Sequence, residues 1–178
     1  MADWHVGFSA SSLGQEEVAA VAAVVATGRI GQGPLVARFE SDFAASVSAR
    51  CAVATASGSS ALLLALTVAG GSAGDDVVMP SLCSIATADA VRHIGATPVF
   101  ADVDATTGNV TGATIGRALT ATTTAVVAVD RAGVPVDLHD IREVTDPLGI
   151  VAVEDATDAA GSTYRGRPVG AGAEIVAW

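Results

Sequence analysis

Residues 74–104 read GDDVVMPSLCSIATADAVRHIGATPVFADVD, with two short apolar runs on either side of an alanine-rich one. Asp76–Met79 and Thr97–Ala101 are apolar without a regular polar alternation, which is typical of strands buried on both faces. Ser84–Ile94 has the length and composition of a helix. This segment therefore predicts a strand–helix–strand unit whose two strands lie parallel in one sheet.

The same alternation continues on both sides of this unit. Further strands are predicted at Ala52–Thr55, Ala125–Val129, Ile150–Val153 and Glu174–Ala177. Further helices are predicted at Gly14–Thr27, Leu35–Val47, Ser59–Val68, Thr111–Leu119 and Leu138–Val144. Strands that alternate with helices predict an α/β fold of three layers, in which a mostly parallel sheet lies between two layers of helices.

The amino-acid composition argues against several classes of binding partner. The 178 residues are 51% hydrophobic, and the formal net charge is −10 with no basic stripe along the chain. This balance argues against nucleic acid and against anionic membranes as partners. The two cysteines are too few for a disulfide framework. Because no signal sequence and no run of about 20 apolar residues is present, we expect a cytoplasmic protein.

A candidate anion site follows the first predicted strand, at Ser57-Gly58-Ser59-Ser60. Where a helix begins, free backbone N–H groups and the helix dipole favour a phosphate, and glycine lets the anion approach the backbone. The same residues also suit an ordinary helix N-cap. Both interpretations remain open at this stage.

A candidate carboxylate ligand ends the strand at Val153, where Glu154 and Asp155 follow directly. In open α/β sheets, ligands bind outside the carboxyl ends of the strands, so a carboxylate there suits a positively charged ring nitrogen of a cofactor. An aspartate that caps the following loop fits the local sequence equally well.

Other motifs point to no site. The glycines of Gly70–Gly74 follow a helix rather than a strand, so they predict a helix-ending turn and not a dinucleotide site. His5, His93 and His139 form no ligand pair, so no metal site is expected. Cys83 precedes a helix, where a thiolate could be stabilised, but a buried inert thiol is the favoured interpretation.

Taken in order, the motifs of this chain resemble the DegT/DnrJ/StrS family of sugar aminotransferases, which use pyridoxal phosphate (PLP) on the fold-type-I scaffold. The motifs that carry the resemblance are Gly31-Gln32-Gly33-Pro34 with Phe39-Glu40, Ala56–Leu62, Gly74–Ser81, Gly95–Asp104, Glu154-Asp155-Ala156 and Tyr164–Gly170. The resemblance covers the N-terminal part of the large domain. It implies an N-terminal helical arm at residues 1–30 and an incomplete PLP-binding large domain at residues 31–178.

The resemblance also assigns roles to residues. Ser57, Gly58 and Ser59 would hold the cofactor phosphate, and Asp155 would pair with the protonated pyridine nitrogen. Family members are dimers, so a homo-oligomer or a heteromer with another aminotransferase-type chain is expected. The expected substrate is a nucleotide-linked keto sugar or a ketocyclitol.

Three departures from the family pattern fall at the implied cofactor site. Ser84 stands where the family usually has an aromatic ring, and Asp158 stands where it usually has glutamine. Asp130-Arg131-Ala132-Gly133 replaces a His-Leu-Tyr-Gly type sequence. Stacking on the cofactor is lost at Ser84, and Asp158 places a carboxylate near the phenolic oxygen, so cofactor binding is expected to be weakened.

None of the 178 residues is a lysine, although the family's chemistry uses a lysine Schiff base. In family members that lysine and a seventh, antiparallel strand come after the position of Trp178, followed by a small C-terminal domain. The chain is therefore expected to be truncated before these elements and inactive alone. It is catalytic if a partner chain supplies the lysine, and otherwise it is a non-catalytic subunit that supports an intact homologue.

Overall fold

The computed structural model describes residues 11–178, in which helices and strands alternate from residue 58 to residue 155. The α-helices are α1 (Gln15–Thr27), α2 (Pro34–Ser46), α3 (Gly58–Val68), α4 (Ile85–His93), α5 (Gly112–Ala118) and α6 (Leu138–Thr145). The strands are β1 (Asp76–Pro80), β2 (Thr97–Ala101), β3 (Thr123–Val129), β4 (Val151–Asp155), β5 (Thr163–Tyr164), β6 (Arg167–Pro168) and β7 (Ile175–Ala177). With one exception, the predicted elements are confirmed, and their ends differ by no more than two residues.

The central sheet is parallel, as the sequence predicts. Its strand order is β2-β1-β3-β4-β7, and every neighbouring pair runs in the same direction. Because the strands are parallel, their carboxyl ends meet at one edge of the sheet. Pro80, Val129 and Asp155 end the three neighbouring strands β1, β3 and β4 at that edge.

Two hydrophobic clusters cover the two faces of the sheet, which explains why the strands are apolar without alternation. On β1, Val77 and Met79 belong to one cluster and Val78 to the other, and all three are fully buried. Helices α3 and α4 pack on the first face, whereas α5 and α6 pack on the second. The fold is therefore the predicted three-layer α/β arrangement.

The predicted strand at Ala52–Thr55 is wrong. This segment pairs with no strand among the described residues, and the Val53 side chain is 67% exposed. The N–H of Ala54 instead donates a 2.8 Å hydrogen bond to Glu40 Oε1. An extended segment becomes a strand only when a neighbour satisfies its backbone groups. Here a side chain satisfies one of those groups instead.

The described residues group into two compact units, one that ends at Phe39 and one that spans Glu40–Trp178. In the first unit, α1 has no buried residue, and its C-cap Gly28 adopts the left-handed conformation that ends the helix. Residues 1–10, which include His5 and the start of the predicted arm at residues 1–30, lie outside the described part. The predicted domain division stays a prediction. Within residues 11–178, no helix combines the length and apolar character that a bilayer span requires.

Candidate functional site

Asp155 is a buried polar group at the carboxyl edge of the sheet, where three hydrogen bonds hold its carboxylate. Its side chain is 2% exposed and lies on the face covered by α4. Oδ1 accepts hydrogen bonds from the Thr157 hydroxyl at 2.7 Å and from the Thr157 N–H at 3.3 Å. Oδ2 accepts from the hydroxyl of Thr87 at 3.3 Å. Neutral donors therefore fix both carboxylate oxygens.

No ion pair of residues 11–178 includes Asp155. A buried carboxylate usually has a cationic partner or a dense set of hydrogen bonds, because leaving water costs the charged form free energy. Asp155 has three hydrogen bonds from hydroxyl and amide groups, but it has no cationic partner among the described residues. The arrangement leaves Asp155 suited to a cationic group brought by a ligand.

The turn Ser57–Ser60 begins α3. It has the features of both structures that the sequence suggests, an ordinary helix N-cap and an anion site. Ser57 is the N-cap, and its Oγ accepts a 3.2 Å hydrogen bond from the Ser60 N–H. The N–H groups of Gly58 and Ser59 have no hydrogen-bond partner among the described residues. The Ser57 side chain is therefore occupied as a cap, and two backbone donors at the helix N-terminus remain for an anion.

Gly58 brings this turn against the loop that follows Asp155. A Cβ placed on Gly58 would lie 3.2 Å from Cγ2 of Thr157. That separation is tighter than an ordinary carbon contact, so an added Cβ would require the Thr157 methyl group to move by a few tenths of an ångström. The methyl group of Thr157 thus lies beside the open side of Gly58, and the Thr157 hydroxyl holds Asp155. We call Ser57–Ser60, Thr87, Asp155 and Thr157 the half-site.

The other predicted site residues lie around the half-site. Ser84 is the N-cap of α4, where its Oγ accepts a 3.3 Å hydrogen bond from the Ala86 N–H. Beside it, Cys83 Sγ donates to the carbonyl of Pro80 at 3.3 Å. Burial raises the pKa of the Cys83 thiol, and the negative charge of Asp155 raises it further. These causes favour the inert-thiol interpretation of Cys83.

Asp158 pairs with Arg131, a contact that the sequence does not predict. The Arg131 guanidinium lies 3.7 Å from Asp158 Oδ2, with side-chain exposures of 40% and 55%. The two departures from the family pattern are thus neighbours of opposite charge. Because Arg131 offsets the charge of Asp158, the repulsion expected at a phenolic oxygen is smaller than for an isolated carboxylate.

Buried Asn109 sets the position of Arg131, and nothing in its sequence neighbourhood signals this. Its Oδ1 accepts a 3.2 Å hydrogen bond from the Arg131 N–H, and its Nδ2 donates to the Val134 carbonyl at 2.8 Å. The contacts of Thr87 and Thr157 with Asp155 are likewise not predicted from the sequence. The spacing of Thr157 two residues after Asp155 is typical of an aspartate that binds a nearby backbone and hydroxyl, and is the one available signal.

Glu154 and Asp155, adjacent in sequence, face opposite sides of the sheet. Asp155 faces α4, whereas Glu154 faces Asp130, at the end of β3. Only Asp155 therefore belongs to the half-site. Among residues 11–178, no group of three or more histidine, cysteine, aspartate or glutamate side chains is placed to hold a metal ion.

Comparison with known proteins identifies relatives along nearly the whole described chain. A sequence model of the DegT/DnrJ/EryC1/StrS aminotransferase family matches residues 11–178. The chain is 39% identical over 163 residues to the spore coat polysaccharide biosynthesis protein SpsC of Bacillus subtilis (strain 168). That match covers 92% of this chain and 42% of SpsC, so the chain spans less than half the length of this relative.

Solved structures give the same result. The aminotransferase from Psychrobacter cryohalolentis is 38% identical, with a TM-score of 0.86 over 89% of this chain and 41% of the other. Spr1654 from Streptococcus pneumoniae in its PLP form is 27% identical, with a TM-score of 0.91 over 97% of this chain and 48% of the other. The fold is thus that of PLP-dependent aminotransferases, of which the chain spans less than half.

Proposed function

Because this chain belongs to the DegT/DnrJ/EryC1/StrS aminotransferase family, we propose that its half-site binds PLP for a transamination that acts on a keto sugar or a ketocyclitol. The name of SpsC, a polysaccharide biosynthesis protein, supports a sugar substrate. The observation that carries the proposal is the position of Thr157, whose methyl group lies beside Gly58 and whose hydroxyl donates to Asp155. Around Thr157, an anion cradle and a carboxylate lie side by side at the carboxyl edge of a parallel sheet.

The half-site residues fit the two charged ends of PLP. The free N–H groups of Gly58 and Ser59 would hold the phosphate, with the Ser59 hydroxyl as a further donor. Asp155, buried without a cationic partner, would hold the pyridine nitrogen in its protonated form. When bound in this way, PLP supplies an electron sink for bond breaking next to the transferred nitrogen.

Within the chain, each residue has a task that the geometry defines. Thr87 and Thr157 fix the Asp155 carboxylate from two sides, so its orientation is set before a ligand arrives. The Ser57 cap holds the first turn of α3, which orients the free N–H groups. Arg131 keeps the negative charge of Asp158 partly neutralised at the rim.

The amine that transamination requires is not among these 178 residues, since none of them is a lysine. We therefore propose that a partner chain of aminotransferase type contributes a lysine and completes the site. The lack of lysine and the use of Ser84 as a helix cap also support a second candidate function. In that case the chain is a non-catalytic subunit that supports an intact homologue.

The test is to purify the chain alone and with candidate partner chains, add PLP, and follow absorbance and borohydride sensitivity. Covalent attachment of PLP that borohydride fixes only in the mixture supports the shared catalytic site. Saturable binding that borohydride never fixes supports the non-catalytic subunit. An Asp155→Ala variant should lose binding in both cases, whereas Asp146→Ala, an exposed carboxylate outside the half-site, should retain it. No saturable binding under any condition would overturn the proposal.

A further inference from the structure

Two carboxylates are buried directly beside the half-site. Asp130 is fully buried, and Glu154 is 4% exposed. Glu154 lies one residue before Asp155 on β4, and Asp130 follows the last residue of β3. The Asp130 N–H donates a 3.0 Å hydrogen bond to the Asp155 carbonyl, so the two strand ends are joined at this point. Asp130 and Glu154 together are the acid pair.

Each member of the acid pair has one oxygen that no protein donor reaches. Asp130 Oδ1 accepts a 2.8 Å hydrogen bond from the Val136 N–H, but Asp130 Oδ2 has no donor. Glu154 Oε2 is likewise buried without a partner. Ala128 is the cross-strand partner of Glu154, so Asp130, two residues further along the chain, lies on the same face of the sheet, and each carboxyl acts on the pKa of the other. Since ionised carboxylates only accept hydrogen bonds, a bond between them requires a proton on one of them.

Nearby cations do not neutralise the acid pair. Glu154 forms part of the floor of a cleft of about 500 Å³, whose charged and titratable lining residues are His139, Arg142, Glu143, Asp146, Tyr164, Arg165 and Arg167. Arg142 pairs with Asp146 and Glu174, and Arg165 pairs with Asp137. No ion pair of residues 11–178 reaches Asp130 or Glu154. Asp155 adds a further negative charge that acts on Asp130.

We propose that Asp130 and Glu154 share one proton, and that the resulting hydrogen bond ties the ends of β3 and β4 together and so positions Asp155. Asp130 and Glu154 are then positioning residues, which act on a ligand through Asp155. The positioning role rests on the proposed function of the half-site, whereas the shared proton does not. Loss of the proton would leave two unpaired buried charges next to the carboxylate that is to hold the ring nitrogen.

The acid pair makes the chain sensitive to pH near neutrality. Burial, reinforced by the neighbouring carboxylates, raises the pKa of Asp130 to about 6 and that of Glu154 to about 7. Both folded-state values lie above the ordinary values, so the folded pair keeps both protons in acid and one shared proton between about pH 6 and 7, where the unfolded chain has lost both. The stabilisation is therefore complete in acid, below the ordinary pKa values, and is lost as the pH rises through 6 and 7.

The first test follows the shared proton without any cofactor. Carboxyl ¹³C NMR and urea unfolding of the full chain are measured across this pH range for the wild type, Asp130→Asn, Glu154→Gln and Glu143→Gln. Each amide variant keeps a donor toward the remaining carboxylate but removes one titrating group, and Glu143 is an exposed control on the same cleft. We expect two coupled carboxyl titrations above the ordinary range in the wild type and in Glu143→Gln. Each acid-pair variant keeps one buried carboxyl, so it should show a single raised titration without coupling and a smaller fall in stability above pH 6 than the wild type.

Titration of both carboxyls at ordinary values, or equal loss of stability with pH in Asp130→Asn and the wild type, would overturn the shared proton. If Asp130→Asn fails to fold, Glu154→Gln tests the same shared proton, because it removes the other titrating group of the acid pair.

The second test follows the positioning role through PLP affinity. Between pH 6 and pH 8, the dissociation constant of PLP should rise several-fold more in the wild type than in Asp130→Asn. The phosphate of PLP ionises in the same way in both measurements, so comparing the two proteins removes its effect. The same pH dependence in both would overturn the positioning role. A chain that binds no PLP at any pH would overturn the proposed function and the positioning role with it, while the NMR and unfolding measurements would still decide the shared proton.

Discussion

The hydroxyl of Thr157 donates a 2.7 Å hydrogen bond to Oδ1 of Asp155, while the methyl group of Thr157 lies against Gly58. One side chain thus connects the turn that begins α3 with the end of β4, two segments almost a hundred residues apart in sequence. Asp155 and the Gly58 turn therefore lie on the same rim of the sheet. The half-site depends on this contact.

Replacing Thr157 by valine should weaken PLP binding without unfolding the chain. Valine keeps the methyl contact with Gly58 but removes the hydroxyl that orients Asp155. A hydrogen bond to a charged group contributes about 1.5–3 kcal/mol, so the dissociation constant should rise by roughly 10-fold or more. Fluorescence titration with PLP measures this change. Thr67→Val, on an exposed part of α3, is the matched control and should bind as the wild type does.

Replacing Gly58 by alanine should weaken the binding of PLP and of inorganic phosphate together. The added Cβ would lie 3.2 Å from Thr157 Cγ2 and would require the Thr157 methyl group to move by a few tenths of an ångström. Gly116→Ala is the control, because its Cβ would meet Val144 at an ordinary 3.5 Å inside α5. Calorimetric titration of both variants with phosphate and with PLP distinguishes them. Equal affinities in the two variants would contradict the role given to the Gly58 turn.

Substitutions at Arg131 and Asp158 should have coupled effects on the affinity for PLP but small effects on the free energy of unfolding. Their contact is largely exposed to solvent, so each single substitution should change the free energy of unfolding by less than about 1 kcal/mol. Arg131→Gln leaves the Asp158 carboxylate near an anionic ligand and should weaken PLP binding. The double variant Arg131→Gln with Asp158→Asn should recover most of that loss. A double-mutant cycle on PLP affinity measures the coupling, and additive effects would count against it.

The two cysteines should differ in reactivity toward a disulfide reagent. Cys51 is exposed, whereas Cys83 is partly buried and the pKa of its thiol is raised. Because the thiolate is the reacting species, Cys83 should react more slowly at neutral pH. Rates measured on Cys51→Ala and Cys83→Ala, each with one thiol left, separate the two. Similar rates in the folded variants would show that Cys83 is more accessible and more ionised than its surroundings indicate.

The strands and helices are predictable from sequence because local patterns and burial agree along most of the chain. Val77, Val78 and Met79 are apolar in succession since both faces of β1 are covered, and the sequence displays this directly. Ala52–Thr55 looks similar in composition but has no pairing partner among the described residues. Local sequence cannot show whether a neighbouring strand exists, so the prediction fails there.

The site is predictable only where one residue type carries the chemistry. Gly58 and Asp155 stand out because the approach of a phosphate requires glycine where a helix begins, and pairing with a ring nitrogen requires a carboxylate at the end of a strand. Thr87, Thr157 and Asn109 act through contacts across the fold, and their side chains are common in many environments. Nor does sequence show that Glu154 and Asp130, which lie on neighbouring strands, meet on the face of the sheet opposite Asp155.

The most direct test of the half-site is a ¹H–¹⁵N NMR titration of the full chain with PLP, run in parallel on Asp155→Asn. Binding at the half-site predicts that the amide signals of Gly58, Ser59 and Thr157 shift together and saturate at one dissociation constant in the wild type. In Asp155→Asn the same signals should shift only at much higher PLP concentration. Shifts confined to residues away from Gly58 and Thr157, or identical titrations of the two proteins, would contradict the half-site.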